Sequence, residues 1–63
     1  MHTDSELISI IRDAMAQGLS LGLHTLKASV LTEDRSRVEP IVEDLVAAGE
    51  FVEIKKHRYI QKG

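Results

Sequence analysis

Val38-Glu39-Pro40-Ile41-Val42-Glu43-Asp44-Leu45-Val46-Ala47-Ala48-Gly49, followed at once by Glu50-Phe51-Val52-Glu53-Ile54, is the stretch on which the fold turns. Val38, Ile41, Val42, Leu45 and Val46 fall at i, i+3, i+4, i+7 and i+8, the spacing of one apolar helix face, and Gly49 closes the run. Ser36-x-x-Glu39 reads as a capping box, in which a hydroxyl and a carboxylate satisfy orphan amides at a helix start. These signals predict a helix from about Arg37 to Ala48, with Ser36 as N-cap and Pro40 in the first turn, where its missing amide costs little. If the helix starts earlier, Pro40 should kink it. Beyond Gly49 the helical spacing stops. Glu50–Ile54 and Arg58-Tyr59-Ile60-Gln61 are β-branched and aromatic, and the polar Lys55-Lys56-His57 separates them. A β-hairpin around a three- or four-residue turn is expected.

Outward from this stretch, Thr3-Asp4-Ser5-Glu6 is another capping box, and Leu7, Ile8, Ile11, Ala14 and Met15 line one helical face behind it. Helix 1 is predicted from about Ser5 to Gln17, with Gly18 supplying a left-handed C-cap position. Leu19-Ser20-Leu21-Gly22-Leu23 alternates with period two. It suits either a short strand or an extended connector with three leucines tucked into the core. Thr25 can cap a short second helix reaching Leu31, in which Leu26 and Val30 share a face. Thr32-Glu33-Asp34 then breaks it with residues that prefer turns and caps.

The chain has 63 residues, room for one domain spanning 1–63, and 43% of them are apolar. A chain of this size removes only about 60% of its unfolded surface, so its stability is thin. Phe51 and Tyr59 are the aromatics, so aliphatics must build the core. With no cysteine there is no disulfide framework. His2, His24 and His57 lie in separate segments without ligand spacing, so no metal and no cofactor is expected. No apolar stretch is long enough to span a membrane, and no basic-then-apolar leader is visible at the start. A cytoplasmic location is the default expectation. Net charge is -2, but the signs are segregated. Residues 55–63 carry Lys55, Lys56, Arg58 and Lys62 without an acid, whereas 38–53 carry Glu39, Glu43, Asp44, Glu50 and Glu53 without a lysine or arginine.

The order is helix, short strand, helix, turn, longer helix, hairpin. Together with the V-x-x-x-[IL]-x-x-L-x-x-x-G run that Val38–Gly49 presents, it resembles the winged helix-turn-helix superfamily of regulators. The resemblance covers about residues 5 to 61. It implies an α+β domain of three helices, a short strand between helices 1 and 2, and a C-terminal β-hairpin wing. It also implies that helix 3 is a recognition helix and residues 55–57 the wing tip. The outward face of helix 3 would be Ser36, Pro40, Glu43 and Ala47, flanked by Arg37 and Asp44. Major-groove helices more often present Arg, Lys, Asn or Gln to base edges, so this face departs from the pattern.

The expected function is therefore a small DNA-binding protein acting as a transcriptional regulator. Arg35 and Arg37 would hold a phosphate strand at the helix 3 N-terminus, and Ser36 and Pro40 would approach the groove. Lys55, Lys56, His57 and Arg58 would grip beside it. The plainer readings stand alongside. The arginines could pair with Glu33, Asp34 or Glu39, and the hairpin lysines could simply discourage strand aggregation. Tyr59 is expected to cap the core with its hydroxyl wet, or else to stack on a base. Ile10 and Leu31 could form a self-association patch. Paired carboxylates need a pocket for acid–base chemistry, and this core has little room for one, so neither an enzyme nor a small-molecule site is expected. Duplex DNA is the expected partner, with a homodimer or larger assembly and no membrane. A protein-interaction module and a structured-RNA binder are the alternatives. The DNA reading requires residues 35–37 and 55–58 to share one side of the molecule.

Overall fold

The Thr3 capping box forms as the sequence implies. The Thr3 hydroxyl accepts from the Glu6 amide at 3.2 Å, and the Glu6 carboxylate accepts from the Thr3 amide at 2.8 Å. From that start α1 runs Asp4–Ala16, burying Leu7, Ile11 and Met15. The computed structural model describes residues 1–18 and 20–62. Gly18 does not adopt the expected left-handed conformation. It serves a close approach instead, since a Cβ there would meet the Leu21 side chain at 3.2 Å. Of the alternating stretch 19–23, Leu19 lies outside the described residues, Leu21–Gly22 form β1, and Leu23 already begins α2 (Leu23–Ala28).

The second helix thus starts two residues before the expected Thr25 and stops three before Leu31. Its N-cap is the extended Gly22, and no side chain caps it. The shift has a long-range cause, because the Leu23 amide donates to the His57 carbonyl at 2.7 Å. That contact fixes the chain's entry into the helix. A 3-10 turn, Thr32–Asp34, then leads directly into α3 (Arg35–Ala47).

This continuity overturns the expected start of the third helix. Asp34 precedes α3 in an αR conformation, so Ser36 lies inside the helix and the Ser36–Glu39 capping box does not form. Pro40 is consequently the sixth helical residue rather than part of the first turn. Having no N–H, it leaves the Ser36 carbonyl without its helical donor. We expect Pro40→Ala to raise stability by about 2 kcal/mol, the ~3 kcal/mol cost of an interior proline less up to about 1 for its rigidity in the unfolded chain. A urea midpoint at or below that of the parent would refute this.

The end of α3 matches the sequence. Gly49 has φ +83, its amide donates to Val46 at 3.0 Å, and the Glu50 amide donates to Leu45 at 2.9 Å. This pair is a Schellman closure, which reverses the chain into β2 (Phe51–Lys55). β3 (Arg58–Gln61) returns beside it. The hairpin turn is tighter than expected, with Lys56 and His57 alone between the strands and His57 at φ +60. The sheet is antiparallel in the order β1-β3-β2. A register shift between Glu53 and Lys55 leaves Ile54 as an extra residue in β2.

The protein is thus a small α+β domain of three α-helices and a three-stranded antiparallel sheet. Its core joins Leu7, Ile11 and Met15 of α1 to Leu23 and Leu26 of α2, Val38, Ile41, Val42 and Leu45 of α3, and Phe51 and Tyr59 of the hairpin. Val30 packs with them. Ile10 is half-buried against this core, whereas Leu31 is exposed. No helix of the described residues is long and apolar enough to cross a membrane.

Candidate nucleic-acid interface

Arg35, Ser36 and Arg37 are consecutive on α3, so their side chains leave the helix about 100° apart. Arg37 turns toward the chain's N-terminal arm. Its guanidinium donates to the His2 carbonyl at 2.6 Å, to Asp34 at 3.2 Å, and to Asp4. Asp34 is fully buried and also accepts from the His2 amide at 3.1 Å and meets the His2 ring at 3.3 Å. These contacts clasp residues 2–4 onto the start of α3 and satisfy the arginine internally. Arg37 therefore offers little to an outside phosphate. Ser36 and Pro40 are exposed and line a shallow groove of about 230 Å³ with Asp4, Arg37, Ile41 and Asp44. Two carboxylates stand in that groove.

The clasp has a pH signature. Burial pushes the Asp34 carboxyl up, but the His2 amide and ring, the terminal ammonium and Arg37 outweigh it and hold the carboxyl below the usual aspartate range. Because the folded pKa is depressed, the stabilisation is complete above the unfolded value and disappears as pH falls through the folded one. Stability should therefore fall below about pH 4. In Asp34→Asn the urea midpoint should change less between pH 7 and pH 3 than in the parent. Equal changes in the two proteins would rule the clasp out as a source of acid sensitivity.

Arg35 faces the other way. It lines a depression with His24, Lys27 and Ala28 of α2. One turn further along α3, on the same face, Glu39 reaches the His57 ring at 3.8 Å. The hairpin turn is held there by further contacts. The Glu53 carboxylate accepts from the His57 amide at 2.9 Å, and the His57 carbonyl accepts from Leu23, next to His24. Arg58 donates to the Ser20 hydroxyl at 3.1 Å. The hairpin turn at His57 thus packs beside the Arg35–Glu39 side of α3, whereas Arg37 turns to the N-terminal arm.

Ion pairing sorts the cations further. Arg12 makes a two-pronged contact with Glu50 at 2.7 Å through each prong, and Arg37 is committed to the clasp. Among the described residues, Lys27, Arg35, Lys55, Lys56, Arg58 and Lys62 have no carboxylate partner. Glu39 sits between the two groups of free cations. Tyr59 beneath them is 3% exposed, too buried to be a stacking platform. Burial, with Glu53, Glu39 and Glu43 nearby, raises its hydroxyl pKa.

The depression that His24 and Lys27 line with Arg35 was not legible in the sequence. The i, i+3 spacing of His24 and Lys27 was visible, but the depression needs α2 to start at Leu23 and Arg35 to approach from α3. The burial of Asp34, which in a Thr-Glu-Asp turn looks like an ordinary cap, was not legible either. Comparison of the chain with protein-family models, with curated proteins and with solved structures gives no match.

Proposed function

We propose that this chain is a small DNA-binding domain of winged helix-turn-helix type, a cytoplasmic transcriptional regulator that grips the phosphate backbone and catalyses nothing. The helix order and the β1-β3-β2 sheet agree with that architecture. The observation that carries the reading is the contact of His57 with Glu39, which docks the hairpin turn against α3 one helical turn from Arg35. Arg35 and Lys27 take one side of the footprint, and Lys55, Lys56, His57 and Arg58 take the other. Ser36 and Pro40 stand on the exposed arc of α3 nearest the groove. Arg37 holds the N-terminal arm rather than DNA. Two copies on adjacent half-sites would give useful affinity.

Fluorescence anisotropy with a labelled DNA duplex tests the reading. About five phosphate contacts predict log K falling against log salt with a slope of about -4 to -5. No anisotropy change at low salt would end the proposal, and preferential competition by a hairpin RNA would transfer it to RNA.

A protein-interaction role is the second reading. Val52 and Ile54 are 39% and 47% exposed, beside the half-buried Ile60, and Glu39, Glu43 and Asp44 add an acidic face. A partner retained after nuclease treatment and lost on Ile54→Lys would favour that role.

A further inference from the structure

We infer that the depression between α2 and α3, lined by His24, Lys27, Ala28 and Arg35, is a seat for a single phosphate group. The inference deepens the nucleic-acid reading and, for its biological setting, rests on it. His24, Lys27 and Ala28 follow at i, i+3 and i+4, so they share one face of α2. Arg35 comes to that face from α3, so the donors converge from two elements rather than from one flexible stretch. Among the described residues, no carboxylate lines the depression. Neither Lys27 nor Arg35 has an ion-pair partner among the described residues, although Glu33 and Asp34 are close to Arg35 in sequence.

Those two acids are occupied elsewhere, Glu33 with the terminal ammonium at 3.7 Å and Asp34 within the clasp. Ala28 contributes only a methyl, which leaves the space open. About 220 Å³ is available, roughly seven water volumes at about 30 Å³ each, enough for a phosphate group and a few waters. The three donors are complementary. Arg35 can present two parallel N–H groups to two oxygens, Lys27 supplies a compact charge, and the imidazole of His24 donates from its protonated nitrogen. The phosphate is either a backbone phosphate of nucleic acid or that of a free phosphate ester.

NMR of the full chain titrated with sodium phosphate, ionic strength held with sodium chloride, reads the seat directly. We expect saturable shifts confined to the His24 ring and the amides of residues 24–28 and 35. They should be lost in Lys27→Ala and in Arg35→Ala, both surface changes that leave the circular dichroism of the parent. Linear shifts without saturation, or shifts equal at Lys55 and Lys56, overturn the seat.

Adenosine monophosphate and duplex DNA, as further arms, separate the sources. If backbone phosphate occupies the seat, Lys27→Ala/Arg35→Ala lowers the DNA salt slope by about 0.9, one phosphate's share, and weakens binding about 8-fold at 0.1 M salt. Saturable phosphate or nucleotide binding with that DNA slope unchanged supports a seat for a free phosphate ester. Saturable phosphate binding by a chain that ignores DNA sinks the DNA reading and keeps the seat. DNA binding with an unchanged slope and no saturable phosphate shift does the reverse.

Discussion

Phe51→Ala is expected to remove about 3–5 kcal/mol of stability at 25 °C, a large share of what this chain has. Phe51 is 1% exposed, heads the largest fully buried side chains, and is the first residue of β2 after the Schellman reversal. Truncating a buried phenylalanine costs about 3–5 kcal/mol. A chain this short has only about 3–9 kcal/mol in total, at 0.05–0.15 kcal/mol per residue. Urea denaturation followed by circular dichroism gives the number, and Val52→Ala is the internal control. Val52 is the next residue of the same strand but points to the opposite, exposed side. Its truncation should cost under about 1 kcal/mol. Similar losses in the two variants would mean that Phe51 does not anchor the hairpin to the helices.

The second large effect concerns binding. Replacing Lys55, Lys56 and Arg58 together by alanine should weaken duplex DNA binding by about two to three orders of magnitude at 0.1 M salt, since each lost phosphate contact removes about 0.9 log units there. The salt slope should become shallower by about 2.7 in the same experiment. All three side chains are exposed, and none has a carboxylate partner among the described residues. The fold should therefore survive, and an unchanged melting temperature verifies it. Unaltered affinity in the folded triple variant would remove the hairpin from the interface. Arg37→Ala should behave oppositely, losing stability through the clasp while changing the salt slope by less than one unit.

These contrasts follow from which features were legible in the chain. The Thr3 box, the apolar spacing of Val38–Val46 and the turn at Gly49 depend on residues a few positions apart, and each is present as local chemistry requires. The beginnings of α2 and α3 depend on distant partners. Leu23 is placed by a carbonyl 34 positions away, between residues 23 and 57. Asp34 is engaged by His2 from 32 positions away. With its carboxylate drawn into that contact and its backbone already helical, Ser36 never reaches the extended conformation an N-cap needs. The same distance effect divided the proposed site. Periodicity put Arg35, Ser36 and Arg37 at one helix start, but only the packed arm and the docked hairpin turn assign one arginine inward and the other toward the basic depression.

The extra residue at Ile54 bears on how copies of this protein keep apart. β2 is one of the two edge strands of the sheet, an open ladder edge that could template a neighbour's strand. The irregularity increases local twist, and Lys55 and Lys56 crowd that end of the strand with charge. Continuous sheets running from molecule to molecule are thereby discouraged, and high concentrations should not nucleate fibrils along this rim.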